Sequence, residues 1–317
     1  MNLPEQTVWH THGWPRLRNT IGALALCVMA ALATAGTSGQ ETFDSPEAGV
    51  SALVEAVKAN DQRMLRSILG PHSRKLVSSG DEVADAQNRA AFVKAFGQAN
   101  KIVLEGDSQA TLVIGDDEWP LPIPLVKSAG RWRFDAKRGE KEILTRRIGA
   151  NELAAIQVCL AIVDAEHEYA AQDRAGDGVL RYAARFVSTP GNHDGLYWEP
   201  QADEPSSPLG PFLAAAANEG YPKSEPKALS PYHGYYYKIL TSQGPDAPGG
   251  AQNYIVKGKM IGGFAVLAYP ARYGASGVMS FMVNFEGALY EKNLGRNTAE
   301  VASTITSFNP DASWKKQ

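Results

Sequence analysis

The 317-residue sequence has only two cysteines, little net charge and no short motif of a known catalytic class. Its formal net charge of -3 gives no electrostatic case for binding nucleic acid or anionic lipid. It contains no H-E-x-x-H, G-x-S-x-G, phosphate-loop or dinucleotide-binding pattern. No enzyme class therefore follows from a motif, and no cofactor is predicted.

The N-terminus has the pattern of a secretory signal. Residues 21–35, IGALALCVMAALATA, are apolar, follow Arg16 and Arg18, and end in a small-x-small sequence. A run of about 15 residues is shorter than the roughly 20 that span a bilayer, so a membrane anchor is the less favoured alternative. We expect residues 1–35 to be a cleaved signal peptide, with a periplasmic product that has no stable membrane span. Cleavage would leave Cys159 alone, which excludes an internal disulfide.

Residues 40–148 are predicted to form one α+β domain. Apolar residues at helical spacing predict helices over 46–60, 62–69 and 85–99. The pattern then becomes that of strands over 101–105, 109–114, 118–126 and 131–135. Helices followed by a curved antiparallel sheet resemble the cone-shaped folds related to nuclear transport factor 2 and the ketosteroid isomerases.

That resemblance implies a pocket, and in the isomerases it implies catalytic acids. The candidates here are Asp107, Asp116 and Asp117, but they lie in turn sequence, where aspartate usually caps the bend. Trp119 and Trp132 are interpreted as core or cavity lining. A binding or dimerising module is favoured over a catalytic one.

Residues 149–317 are predicted to be a second α+β domain, with a long loop over 188–231. The segment 137–140 is interpreted as a charged turn and 143–149 as the link between the domains. A helix over 151–173 is expected to bury Leu153, Leu160 and His167, among others. Strands are predicted over 232–240, 254–256, 264–269 and 278–285, with a closing helix over 298–307.

A long helix before an antiparallel sheet resembles the globular part of type IV pilins and pseudopilins. The resemblance rests on NELAAIQVCLAIVDAEHEYA and on the later runs GFAVLAYP and GVMSFMVNFEG. In pilins the signal continues directly into the long helix, whereas over a hundred residues intervene here. A polymerising pilin is therefore not expected.

Two places have partial patterns for binding a cation. Asp164, His167 and Glu168 share roughly one helix face, although a satisfied histidine is the favoured interpretation. Asp173 and Asp177 fit positions 1 and 5 of a calcium loop, but the acid required at position 12 is missing. A helix-ending turn is favoured there, and no metal site is predicted.

The segment 191–198, GNHDGLYW, is the strongest candidate for function within the long loop. His193 and Asp194 are candidate catalytic groups, and Tyr197 and Trp198 are candidates for a ligand or partner surface. No Ser or Cys nucleophile accompanies the pair in a recognisable context. Loop packing or surface recognition is favoured for His193 over catalysis.

Taken whole, the chain resembles the bacterial family of domain of unknown function 2950. The runs that carry the resemblance are FDSPEAGVSALVEAV, WPLPIPLV, WRFDAKRGEKEILTRRIGANE, STPGNHDGLYW, PYHGYYYKIL, GKMIGGFAVLAYPARYG and FNPDASW. The resemblance implies an exported protein of Gram-negative bacteria without an assigned activity. We expect a non-enzymatic protein that binds a small ligand or an envelope protein, or assists envelope assembly. The alternative is an envelope hydrolase or isomerase using the 191–198 loop or the cone pocket.

Overall fold

The computed structural model describes residues 39–199, 206–221 and 230–317, so the predicted signal peptide lies outside the described residues. The α+β class is confirmed: helices pack on open antiparallel sheets. The α-helices are α1 Pro46–Lys58, α2 Gln62–Leu69, α3 Arg74–Val77, α4 Glu82–Gln98, α5 Ala136–Ala170, α6 Gly210–Asn218 and α7 Thr298–Thr304. Helix α6 falls inside the segment predicted as a long loop, and its run of alanines explains why a helix is stable there.

The N-terminal sheet has the strand order β1-β2-β4-β5, with β3 also paired to β2. Its strands are β1 Asn100–Glu105, β2 Gln109–Ile114, β3 Trp119–Pro120, β4 Leu125–Ser128 and β5 Arg131–Phe134. The prediction of one strand over 118–126 is wrong, because β3 and β4 are separated by residues 121–124. Prolines at 120, 122 and 124 have no N–H to donate, so a continuous ladder cannot form.

Helices α1 and α2 close one side of this sheet. Ser45 caps α1 by accepting a hydrogen bond from Ala48 N at 3.2 Å, and Pro46 takes the first helical position. The apolar face of α1 then packs with α2 and the sheet into a first hydrophobic core, centred on Leu53, Ile68 and Phe134.

Helix α5 is the main departure from the sequence prediction. It runs without a break from Ala136 to Ala170, so the interpretations of 137–140 as a turn and of 143–149 as a link are wrong. Gly139 lets this part of the helix pack closely against Pro122, because a Cβ there would lie 2.6 Å from Pro122 O. The chain therefore passes from one region to the other through a continuous helix.

The buried face of α5 also differs from the predicted one. Leu153 is 68% exposed and Leu160 is 36% exposed, whereas Ala155 and Cys159 are fully buried. Small side chains let the helix backbone approach the C-terminal sheet closely, and that gain outweighs burying the larger leucines. By length and composition alone α5 meets the criterion for a membrane-crossing helix, a criterion that core helices also meet.

The C-terminal sheet has the strand order β14-β13-β12-β11-β6. Two small two-stranded sheets lie beside it, β7 with β8 and β9 with β10. The strands are β6 Tyr235–Leu240, β7 Ser242–Gln243, β8 Gln252–Asn253, β9 Ile255–Val256, β10 Lys259–Met260, β11 Ala265–Pro270, β12 Ser280–Asn284, β13 Leu289–Lys292 and β14 Lys315–Lys316. Every residue of β12 is buried, and α5 packs on it and on β11.

Buried polar contacts join the N-terminal region to the C-terminal one. Asp81, which caps α4, is 1% exposed. Its carboxylate accepts hydrogen bonds from Ala84 N at 3.0 Å, Tyr221 Oη at 2.9 Å and Gly234 N at 2.8 Å.

A second hydrophobic core surrounds α5 and the C-terminal sheet. The division into domains at 148/149 stays a prediction, and α5 belongs to both predicted parts.

Candidate ligand groove

A groove of about 790 Å³ lies between α4, the β2–β3 turn and the first half of α5. The turn is held against α4 because Gly115 N donates to the carbonyl oxygens of Ala95 at 3.1 Å and Ala99 at 2.9 Å. Gly115 has a φ of +75°, a backbone conformation that favours glycine. The apolar lining of the groove consists of Ala91, Phe92, Ala95, Ile114, Trp119 and Ile143.

Charged side chains of both signs line the same groove. Asp116 and Asp117 come from the β2–β3 turn, and Arg146 and Arg147 come from α5. Arg146 pairs with Glu142 at 2.6 Å on the exposed side of the helix. An anionic or a zwitterionic group placed in this groove would therefore find a cation within reach.

Arg147 also ties α5 to α3. Its Nη1 donates to Lys75 O at 2.7 Å and its Nη2 donates to Leu76 O at 2.8 Å. Burial lowers the pKa of Arg147, although the nearby Asp85 opposes that change. An arginine titrates so far above neutral pH that this guanidinium stays charged.

A smaller pocket of about 160 Å³ adjoins the groove and shares Asn88, Phe92 and Arg147 with it. Its other walls are mostly aliphatic: Leu53, Val57, Leu65, Leu69, Leu76, Val77, Leu121 and Ile123. Arg89 reaches this pocket, where its Nη1 donates to Val77 O at 3.2 Å. Its Nε is buried and has no hydrogen-bond partner among the described residues. A ligand acceptor at this point would remove an unsatisfied donor.

These two cavities have the composition of a binding site. Sites for small ligands are mostly apolar, with a few polar groups that fix orientation. The described residues that line them include no serine, cysteine or histidine. Asp116 and Asp117 line the groove without a serine, cysteine or histidine beside them among the described lining residues. Asp107 lies in the exposed β1–β2 turn instead.

The predicted catalytic pair of the 191–198 loop is bound into local structure. Asp194 Oδ1 accepts hydrogen bonds from Thr189 N at 2.7 Å and Thr189 Oγ1 at 3.0 Å, and Oδ2 lies 3.4 Å from Arg185 Nη1. Burial raises the pKa of Asp194, but these hydrogen bonds and the Arg185 charge together hold it below its usual value. A carboxylate with these partners is a weak proton acceptor at neutral pH.

An aromatic stack surrounds His193. Its ring lies 4.4 Å from that of Trp198, and the Arg174 guanidinium lies 5.0 Å from the same indole and 5.3 Å from the Tyr169 ring. Tyr169 Oη donates to His193 O at 2.6 Å. Trp198 and Tyr197, the predicted ligand or partner surface, are 6% and 7% exposed. Their role in recognition stays a prediction, and it requires the loop to open.

The candidate cation ligands are engaged by the protein itself. Asp173 accepts from Gly176 N at 2.9 Å and Gly178 N at 2.6 Å, which is the arrangement of a turn. Asp177 pairs with Arg181 and, at 2.9 Å, with Lys259 Nζ, and the Arg181 hydrogen bond is the main cause that lowers its pKa to about 2.

The helix-face candidates Asp164, His167 and Glu168 are all exposed. His167 Nε2 lies 2.8 Å from Phe285 O, and its ring packs edge-on against those of Tyr182 and Phe264. Across residues 39–199, 206–221 and 230–317, no group of three His, Cys, Asp or Glu side chains is placed to hold a metal ion.

The comparisons with known proteins identify the family. The family model described as "Protein of unknown function (DUF2950)" matches residues 40–317. The chain belongs to the DUF2950 family. No match was found among curated proteins or among solved structures. The cone and pilin resemblances are thus not confirmed, whereas the family resemblance is.

The DUF2950 match begins at a residue that is anchored in the fold. Gln40 Nε2 donates to Ile68 O at 2.9 Å and to Phe134 O at 2.6 Å. The match therefore includes the groove, the adjoining pocket and both hydrophobic cores of this DUF2950 protein. The segment predicted as a signal peptide lies before it.

The sequence prediction missed the burial of three acids of this DUF2950 chain, Asp81, Asp85 and Glu166. Asp81 is the N-cap of α4. The pair Asp81-Glu82 before a helical stripe is a helix-start signal, and the prediction missed it by beginning this helix at residue 85. Glu166 is fully buried in α5, where Oε2 accepts from Ala183 N at 2.8 Å. No local signal in the sequence marks Glu166 as buried, and it lies outside the predicted apolar seam of the helix.

Proposed function

We propose that this protein is an exported binding protein of the bacterial envelope. Its ligand would be a small amphiphile bound in the groove between α4 and α5 and in the adjoining pocket, with an acceptor group near Arg89 Nε and its apolar part against the apolar residues of the two cavities. The observation that carries the proposal is that the two cavities adjoin, with Asn88, Phe92 and Arg147 lining both of them. The volume of the groove lies in the range of small-molecule sites, and both cavities have many apolar lining residues, as such sites do.

Arg89 favours a hydrogen-bond acceptor on the ligand. It lines the pocket, where its buried Nε has no acceptor among the described residues. Arg146 and Arg147 line the groove, but Asp85, Asp116 and Asp117 balance the three arginines, so the unsatisfied Nε and not the net charge carries this preference. A carboxylate accepts hydrogen bonds from guanidinium groups in a matching geometry. A ligand with a carboxylate and a short apolar chain is therefore favoured over an amine of the same length.

The alternative of a hydrolase or isomerase is supported less well. In the 191–198 loop, the Asp194 oxygens already interact with Thr189 and Arg185. In the groove, Asp116 and Asp117 have no serine, cysteine or histidine beside them among the described lining residues. Both arrangements favour binding and structural roles.

Binding can be measured through Trp119, which lines the groove. We expect decanoate to change its fluorescence at lower concentration than decylammonium or decanol. Ala91→Trp places a large side chain in the groove and should weaken decanoate binding at least tenfold. The matched control is Ala90→Trp, which faces a separate depression beside α1 and should leave affinity within about twofold.

Three results would contradict this function. The first is no binding of any of the three probes at millimolar concentration. The second is equal affinity of the Ala91→Trp and Ala90→Trp variants, both with native circular dichroism. The third concerns export, which the residues 21–35 motivate: a protein recovered from cells with its first 35 residues intact, by mass, would remove the periplasmic assignment.

A further inference from the structure

Strand β1 is an open edge of the N-terminal sheet. It pairs with β2 through all six residues, from Asn100 opposite Ile114 to Glu105 opposite Gln109, and no other described strand pairs with it. The opposite edge, β5, is covered, because Phe43 N donates to Trp132 O at 2.7 Å and Trp132 N donates to Phe43 O at 2.8 Å. Among the described residues, two outer sides of this sheet have no strand pairing: that of β1, with six residues, and that of β3, with two.

The exposed edge is protected against pairing only by its charged residues, Lys101 and Glu105. Natural edges are blunted by charged side chains, by proline, by a bulge or by a very short strand. The sequence of β1, NKIVLE, has no proline, and its register with β2 is regular. Leu104 is 61% exposed and Val103 is 41% exposed, so apolar side chains lie on this edge.

The sequence of β1 is complementary to itself in the antiparallel direction. If two copies pair with Val103 opposite Val103, Lys101 of each copy lies opposite Glu105 of the other. Ile102 then lies opposite Leu104, twice. Opposite charges and aliphatic pairs directly across two strands both stabilise a sheet. A shift of the register by one residue would lose both the Lys101–Glu105 pairs and the Ile102–Leu104 pairs. It would also turn the side chains of one strand to the opposite face of the sheet.

The contacts that Lys101 and Glu105 make within one copy compete only weakly with pairing between two copies. Lys101 Nζ pairs with Glu118 at 2.6 Å, and Glu105 accepts from Gln109 Nε2 at 2.6 Å and Thr111 Oγ1 at 2.9 Å. All of these contacts are exposed, and exposed pairs contribute little to stability. They can be shared or exchanged when a second strand arrives.

We infer that β1 pairs with β1 of a second copy of this chain, so that the two N-terminal sheets become one continuous sheet. The partner is a second copy, because the alternation of charge and aliphatic side chains matches the strand itself. Helix α4 contacts both β1 and β2, so the two copies of α4 would also lie near the dimer axis. The surface is separate from the groove lining and does not depend on the proposed ligand.

Charge reversal tests this register directly. Lys101→Glu places two acidic pairs across the dimer, and Glu105→Lys places two basic pairs there, so each variant alone should dimerise at least tenfold more weakly. A mixture of the two variants restores opposite charges at both positions and should form a heterodimer with affinity within about threefold of the unaltered protein. Lys137→Glu, an exposed residue of α5, makes the same change in charge and should have no effect.

Sedimentation velocity up to about 0.5 mM measures these species, since an edge interface of modest area gives weak affinity. A protein that stays monomeric there would overturn the inference. So would a dimer that neither reversal weakens. Circular dichroism of each variant establishes folding, and the mixing experiment fails to restore a dimer if a variant is unfolded.

Cross-linking gives an independent measurement. Val103→Cys should form an intermolecular disulfide on oxidation, because directly opposed residues lie about 4.5–5.5 Å apart at Cα. Leu104→Cys should form none, because the two copies of residue 104 are diagonal neighbours across the strands, about 7–8 Å apart. Cys159 is fully buried and does not compete. Equal cross-linking at both positions would contradict the proposed register.

Discussion

Helices α4 and α5 each pack on an antiparallel sheet, but α5 packs much more tightly than α4. Of the 17 residues of α4 only Asp85 is buried, and Phe92 and Phe96 stay half-exposed. On α5, Ala155 and Cys159 are fully buried against strands whose side chains are almost all buried too. The loosely covered sheet has the groove, the pocket and the open edge.

The largest effect is expected where the two regions meet, at Asp81. Asp81→Ala leaves the Tyr221 hydroxyl and the Gly234 N–H buried without their acceptor, and also removes the cap of α4. The free energy of unfolding should fall by about 4 kcal/mol. Ser45→Ala removes an N-cap that joins no other element, so a loss of only about 1 kcal/mol is expected. Urea unfolding of both variants, followed by circular dichroism, compares them.

Equal losses in the two variants would mean that Asp81 acts only as a cap. In that case the N-terminal and C-terminal regions would not be coupled through this carboxylate. Separate unfolding transitions for the two regions, already present in the unaltered protein, would point the same way.

Local patterns determined much of what was predictable here. Capping residues and helical spacing located α1 and α2 almost to the residue, and alternation located β1 and β2. The errors arose where tertiary packing decides. The charged segment 137–140 continues as helix, and Gly139 within it packs closely against Pro122, a contact that no neighbouring residue in the sequence reveals.

The site was less predictable than the fold for the same reason. The predicted candidates His193, Asp194, Asp173 and Asp177 are sequence-local clusters, and the structure gives most of them local partners. The groove instead joins residues from α4, a turn and α5 that are far apart in sequence. Asp116 and Asp117 were considered as catalytic groups, but their juxtaposition with Arg146 and Arg147 depends on the continuous α5.

A second test compares one leucine from each sheet. Leu267 in β11 is fully buried, and Leu267→Ala should lower the free energy of unfolding by about 3 kcal/mol, because it leaves a cavity. Leu104 in β1 is 61% exposed, so Leu104→Ala should cost less than about 0.5 kcal/mol. The measurement is urea unfolding at low protein concentration, where copies do not associate. A large loss at Leu104 under those conditions would show that the N-terminal sheet is packed more tightly than described.

The third and smallest effect is a pH dependence that originates inside the tightly packed region. Burial raises the pKa of Glu166 to about 8, and the hydrogen bond from Ala183 N only partly opposes this. Because the pKa in the folded state is above that in the unfolded state, the protonated acid favours folding at low pH. This contribution is complete below the unfolded pKa of 4.5 and is lost as the pH rises towards 8. Between pH 5 and pH 7 the loss should be about 2 kcal/mol.

Replacing the acid with its neutral amide separates this group from all others that titrate. Glu166→Gln should remove most of the decline in unfolding free energy between pH 5 and pH 7. Glu168→Gln alters an exposed acid on the same helix, so its pH profile should run parallel to that of the unaltered protein. If the Glu166→Gln profile is parallel as well, Glu166 is ionised in the folded state. Glu166 Oε1 has no hydrogen-bond partner among the described residues, so water or another group would then have to reach it. The core around α5 would in that case be less tightly packed than its buried residues indicate.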